Sequence, residues 1–269
     1  MRRLKILWYW LFKIKNNINL IELLHFLFKP RVSIIANKYI SQIVLKEFYE
    51  ISFHNLKHIL YWPAKFSPKG VEQVTAETFD DQDWHFYQKQ GTVIETGEIL
   101  LDVGSAEGLF PLTVIDKCKE AILIEPNPEF YSALLQTFSP FNKKIRLIHA
   151  AVGNTDGHIN IEGESLTGQV SKYGSGTKVP ICRIDSLIGL HQPITYLKAD
   201  IEGFEYEMLR GAEQTIRKNK PKIAITTYHR ENDSEKIIQL IKCFVPEYKH
   251  YVKGIYHEEC KPVMIHFWI

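Results

Sequence analysis

Glu98-Ile-Leu-Leu-Asp-Val-Gly-Ser-Ala-Glu-Gly-Leu-Phe110 is the stretch whose reading decides the fold. An apolar run enters an acidic residue and then a glycine turn, and a helical pattern starts at about Gly108, so the stretch reads as strand, loop, helix. In an open α/β sheet this crossing places Asp102, Gly104 and Gly108 at the carboxyl edge of a central strand, where backbone amides and a helix N-terminus face a nucleotide-like ligand. Glycine lets the backbone approach such a ligand closely. The spacing is Gly-x-x-x-Gly and lacks the Gly-x-Gly-x-x-Gly pattern suited to a dinucleotide pyrophosphate, so an adenosyl ligand without phosphates fits better.

Outward from this stretch, strand-like and helix-like patterns alternate at the rhythm of βαβ units. Strands are expected near 98–104, 121–126, 145–152, 194–200 and 222–229, and helices near 108–118, 128–139, 204–218 and 233–244. The series predicts a parallel sheet. Two further strand-like runs between His158 and Asp185 flank a Gly/Ser-rich stretch, Gly163 to Gly176, which reads as a mobile flap. Tyr248–Tyr256 and Val263–Ile269 are strand-like and joined by only six residues, a connection too short for a parallel return, so they form an antiparallel hairpin.

Upstream of the sheet, residues 32–90 read as mixed helix and loop, with a short capped helix from Trp84 to Gln90 after Asp80, Asp81 and Asp83. Residues 1–31 carry seven Lys/Arg against Glu22 alone, a charge of +6 in a chain whose net is +2, leaving −4 for the remainder. Lys13, Lys15, Asn16, Asn17 and Glu22 interrupt the apolar run of Leu4–Phe28 before it reaches the ~20 clean residues of a spanning helix, and no small-residue cleavage site follows it. Three readings of the Trp8-Tyr9-Trp10 cluster among cations stay open: peripheral contact with an anionic membrane surface, helices packed on the main domain, or an oligomer contact. The net charge gives no reason to expect nucleic acid. At 269 residues and 45% hydrophobic composition the chain holds one α/β domain plus an appendage. Cys118, Cys182, Cys243 and Cys260 show no paired spacing, so reduced thiols and a cytoplasmic location are expected.

The motifs taken together resemble those of a known family. Leu101-Asp-Val-Gly-Ser-Ala-Glu-Gly108, Ile124-Glu-Pro-Asn-Pro128, His149-Ala-Ala-Val-Gly153, Leu197-Lys-Ala-Asp-Ile-Glu-Gly-Phe-Glu205 with Leu209-Arg-Gly-Ala212, and Tyr228-His229 are similar to the successive motifs of FkbM-type S-adenosylmethionine-dependent methyltransferases. The resemblance covers residues 75–269 and leaves 1–74 as a basic, aromatic, helical extension. It implies the class I methyltransferase (Rossmann-like) fold, an α/β architecture with a seven-stranded, mostly parallel sheet and an antiparallel C-terminal strand. It also implies S-adenosylmethionine as cofactor and methyl transfer to a hydroxyl of a saccharide or other small-molecule acceptor.

By this resemblance Asp102 and Gly104 hold the methionine end of the cofactor, and His149, Ala150 and Ala151 lie beside the adenine. Glu107, where the helix begins, either contacts the cofactor or complements the helix dipole. Glu125 ends the next strand about 20 residues after the glycine turn, where a carboxylate accepts hydrogen bonds from a ribose diol. Asp200 and Glu202, if their strand stays extended, face one side, and His229 ends the following strand on the same sheet edge. His229 or Asp200 is the expected base for the acceptor hydroxyl, with Glu202 the third catalytic candidate. No metal is assigned, although a carboxylate, carboxylate, histidine set could hold Mg²⁺ or Mn²⁺. Two other classes of function stay in view: a nicotinamide-dependent oxidoreductase, and a non-catalytic, membrane-associated binding module that keeps the fold.

Overall fold

The computed structural model describes residues 2–89, 91–162, 169–171, 177–229 and 234–269. The chain begins with helices α1 (Arg2–Phe12), α2 (Leu20–Phe28) and α3 (Val32–Ala36). Asn19 starts α2 with a capping box, its side chain accepting from the Glu22 amide while the Glu22 carboxylate accepts from the Asn19 amide. An antiparallel sheet follows, β1 (Ile40–Leu45), β2 (Phe48–Phe53) and β3 (Leu60–Pro63), where the sequence suggested mixed helix and loop. The extension is therefore not wholly helical. β3 packs on the main body through Trp62, whose ring meets Phe130 edge-on at 5.5 Å.

Helix α4 (Lys69–Phe79) leads toward the main sheet. Of the short helix expected over Trp84–Gln90, the described residues 84–89 form none. The Asp83 carboxylate instead accepts the His85 amide at 2.8 Å, an Asx-type bond that competes with helical turns.

The main sheet contains β4 (Ile99–Val103), β5 (Glu120–Ile124), β6 (Ile145–Ile148), β11 (Tyr196–Ala199), β12 (Lys222–Thr226), β13 (Lys249–Lys253) and β14 (Met264–Trp268). Its order is β13-β14-β12-β11-β4-β5-β6. All pairings are parallel except those of β14, which runs antiparallel to both neighbours. The expected hairpin thus closes the sheet. Helices α5 (Leu109–Val114), α6 (Pro128–Thr137), α8 (Glu205–Arg210), α9 (Glu213–Asn219) and α10 (Ser234–Phe244) connect the strands. The strands are apolar on both faces because helices cover both, and the core lies in two layers on either side of the sheet.

Two expected elements split. The strand near 145–152 ends at Ile148, and β7 (Ala151–Val152) joins a second sheet with β8 (Gly157–Glu162), β9 (Gln169–Ser171) and β10 (Thr177–Cys182). The helix expected over 204–218 breaks between α8 and α9. There Gly211 approaches the chain so closely that a Cβ would stand 2.0 Å from the Gly153 carbonyl oxygen. Asp185, in α7 (Ile184–Ile188), accepts the amides of Gln214 and Thr215 and so restarts the helix. Of the stretch assigned to a flap, 163–168 and 172–176 lie outside the described residues.

Candidate active site

β4 and β11 are neighbours, and beyond their carboxyl ends a cavity of about 340 Å³ opens, within the usual range for small-molecule sites. Gly104, Glu107, Glu125, Ala150, Ala151, Asp200 and Glu202 line it. Asp102, His149 and His229 do not belong to its lining. The sequence also missed several wall residues, among them Lys198, Tyr87, Glu77 and Tyr228.

Asp102 is fully buried, and its Oδ1 lies 3.0 Å from the Lys198 ammonium rather than facing the cavity. The register explains the pair: Lys198 on β11 sits directly opposite Asp102 on β4. Lys198 also donates to the Gly104 carbonyl at 2.6 Å. Burial opposes its charge, but Asp102 and Asp200 hold it cationic by raising its pKa. Gly104 also has a packing duty. With φ at +70°, an added Cβ would stand 2.0 Å from the Asp200 carbonyl oxygen, so glycine here lets two strand ends pack together as well as exposing backbone to the cavity.

Glu107 and Glu125 form the polar part of the next wall. Glu125 Oε2 accepts the Ala106 amide at 2.8 Å and Oε1 accepts the Asn127 amide at 2.7 Å, which ties the glycine loop to the start of α6. Burial pushes the Glu125 carboxyl up to about 7 against these bonds. Glu107 accepts from Leu109 N at 3.4 Å, and burial raises it to about 7 as well. Both expected roles of Glu107 are therefore compatible with its position. His149 stays outside the lining: its Nε2 is 3.0 Å from the Pro126 carbonyl, and its ring stacks on Tyr131. Ala150 and Ala151 leave room beside it.

At the other end, β11 stops at Ala199, and Glu202 takes a left-handed conformation, φ +56°. The strand does not stay extended, so the turn, and not strand alternation, turns both Asp200 and Glu202 toward the cavity. Glu205 organises the turn: its oxygens accept Ile201 N and Gly203 N, each at 2.9 Å, and its Oε1 is 3.1 Å from His229 Nδ1. That contact directs His229 Nε2 toward Glu202 Oε2, 3.2 Å away, and Asp200 Oδ1, 3.7 Å away. Asp200 is further held by the Tyr87 hydroxyl at 2.9 Å on Oδ2 and by Thr226 Oγ1 at 3.0 Å on Oδ1.

The charges follow from this network. Burial opposes an imidazolium at His229, yet the Glu205 bond and the Asp200 and Glu202 charges raise its pKa to about 9. Burial also opposes the Asp200 carboxylate, but His229, Lys198 and His85 hold it below its ordinary value. Burial raises Glu202 to about 7, with Asp200 and Glu205 adding to the rise and His229 opposing it. Asp200, Glu205 and His229 offer ligand atoms within 4.8 Å of one another, close enough to bridge with a divalent cation. The Glu205 oxygens, however, already hold the turn and the imidazole.

The wall chemistry fits S-adenosylmethionine. Two buried carboxylates are raised toward neutrality, with Lys198, itself paired to Asp102, as the cation that opposes the rise; small residues leave space for a flat base, and Phe110, Ile124 and Val152 give the wall apolar surface. The arrangement can place hydroxyl or cationic ligand groups on Glu107 and Glu125, and move a proton at Glu202.

A crystal structure of methyltransferase FkbM from Methylobacillus flagellatus KT superposes with a TM-score of 0.53 at 20% identity, over 76% of this chain and 56% of that one, which shows the shared fold. This chain thus spans little more than half the length of that relative. An rRNA methylase from Streptococcus thermophilus is also similar, with a TM-score of 0.43, 11% identity, and coverage of 65% of this chain and 88% of that one. No curated protein sequence matches. A family model, the Methyltransferase FkbM domain, matches residues 102–251 and so more than half of the sequence. The chain belongs to the FkbM family of S-adenosylmethionine-dependent methyltransferases.

Proposed function

We propose that this chain transfers a methyl group to a hydroxyl, with a saccharide or glycan precursor as the acceptor. The observation that carries the reading is Glu202, a cavity-wall carboxylate with a pKa raised to about 7, held 3.2 Å from a buried imidazole. A sugar-type hydroxyl is a weak nucleophile while protonated, and a base with a pKa near neutrality suits its activation.

Bound in the cavity, S-adenosylmethionine supplies a methyl group already activated on a sulfonium. The protein's work is then positioning, exclusion of water and removal of one proton. Lys198, backed by Asp102, gives the methionine carboxylate a cation, while Glu107 accepts from its ammonium and Glu125 from the ribose diol. Small side chains at Ala150 and Ala151 admit the base. Glu202 takes the acceptor's proton. In this reading the base moves from His229 or Asp200, where the sequence placed it, because a pKa of about 9 keeps His229 protonated at neutral pH, while the His229, Lys198 and His85 charges hold Asp200 below its ordinary pKa and so make it a weak base. His229 stabilises the ionised carboxylates, and Asp200 positions the acceptor together with Tyr87.

The test is incubation of the purified chain with S-adenosylmethionine and glycans from cells that lack it. S-adenosylhomocysteine should accumulate together with a methyl-sized mass increase on a saccharide. Transfer to a non-saccharide hydroxyl would keep the chemistry and remove the acceptor class. An acceptor methylated on nitrogen or carbon would contradict the proposal.

A further inference from the structure

Residues 2–34 bury one apolar stripe and leave another in the open. α1 tucks Ile6 against the body, yet Leu4, Trp8, Leu11 and Phe12, which share a face at helical spacing, are all exposed, Phe12 at 69%. α2 repeats the pattern: Leu23 is buried, while Leu20, Ile21, Leu24 and Phe28 are exposed, Phe28 at 80%. Val32 and Ile34 of α3 extend the exposed set. So many large apolar side chains outside a core mark an interaction surface.

The segment is firmly attached to the body. Asn16 donates to the Gly254 carbonyl at 2.8 Å and Asn17 to that of Val252 at 3.0 Å, Lys253 pairs with Glu22, and Lys29 pairs with Asp80 at 2.8 Å. The exposed face is therefore presented by a held platform. Packing on the domain, one of the three readings open at the level of sequence, is present, and an outward apolar face lies beside it.

We propose that this platform docks on the surface of an anionic lipid bilayer. Arg2, Lys5, Lys13, Lys15 and Arg31 are exposed around the apolar residues, and residues 1–31 carry +6 overall. Lys13 and Lys15 lie over the rings of Trp8 and Trp10. Apolar and indole side chains combined with Lys and Arg suit the headgroup region of a membrane containing acidic lipids. No helix among the described residues is long and apolar enough to cross a membrane, so the contact is interfacial. A second copy of the chain fits less well, because two faces ringed by the same exposed cations would be brought together.

Flotation of the full chain with vesicles decides it. The chain should float with phosphatidylcholine vesicles containing about 30% phosphatidylserine at least ~10-fold more than with phosphatidylcholine alone, and raised salt should remove most of that difference. Phe12→Asp with Phe28→Asp should cut flotation by ~10-fold or more, with S-adenosylhomocysteine affinity and thermal melting unchanged. Both side chains are exposed, so folding should survive the change. Absence of flotation, equal flotation with both vesicle types, or wild-type flotation of the double variant would each overturn the proposal. So would a dimer in light scattering that the double variant dissociates, because the face would then belong to a second copy.

Discussion

The two ends of the cavity use carboxylates in opposite ways. At the end formed by β4 and β5, Glu107 and Glu125 are buried with backbone amides as their close partners, and both are raised to about 7. At the end formed by the 200–205 turn, Asp200 and Glu205 are matched by a histidine raised to about 9, and Asp200 lies below its ordinary pKa. The first end leaves room for charge or hydrogen bonds brought by a ligand, while the second supplies its own counter-charge at His229. Under the proposed function, the first end holds a cationic cofactor and the second activates a neutral hydroxyl. Asp102 and Lys198 stand between the ends as a buried charge pair, and the Lys198 ammonium acts on carboxylates of both.

The largest effect is expected from breaking that central pair. Lys198→Met leaves Asp102 buried without a cation and should destabilise the fold by about 3–5 kcal/mol, measurable by denaturant melting. Asp102→Asn added to Lys198→Met should restore much of the loss, and strict additivity would show that the pair is not the cause. Glu202→Gln acts at the second end only, with an expected loss of ~10²–10⁴ in turnover and nearly unchanged cofactor affinity. The pH profile refines this: the rate should rise as Glu202 ionises through about pH 7 and fall as His229 loses its proton near pH 9. A rate that keeps rising through pH 9 would return the base to His229. At the first end, Glu125→Ala should weaken S-adenosylhomocysteine binding by about 1.5–3 kcal/mol, the scale of hydrogen bonds to a charged group. Smallest of all, Glu205→Gln should lower the His229 pKa toward its ordinary value, read by imidazole proton shifts in NMR. An unmoved value would mean that Asp200 and Glu202 suffice to hold the proton.

The central sheet was legible because most of its parallel strands are apolar runs followed by a turn, and the six-residue link forced the closing hairpin. β1 to β3 were not. β1 is an edge strand exposed along most of its length, so its residues show no clean alternation of buried and exposed positions. The 204–218 helix was read as continuous because Gly211 makes its close contact with Gly153, far away in sequence. Glu125, Glu107, Asp200 and Glu202 were found as cavity residues because motif spacing puts them just past strand ends. Lys198 was missed, though a signal existed: a lysine in the buried run of β11 demands a partner in a neighbouring strand, and Asp102 is the acid of β4. Glu205 was quoted in its motif without a role, since its work depends on a turn whose left-handed residue the sequence does not display.

The claim that the first end awaits charge from its ligand is tested most directly by calorimetry of S-adenosylmethionine binding in two buffers with different heats of ionisation, at about pH 6.5. Glu107 and Glu125, with pKa values near 7, are partly protonated there in the free protein, and a bound cation lowers both values. Binding should therefore expel on the order of one proton, and affinity should weaken as pH falls below 7. Glu107→Gln with Glu125→Gln should abolish the proton release. Tight binding with no proton release in the wild-type chain, or release unchanged in the double variant, would contradict the account.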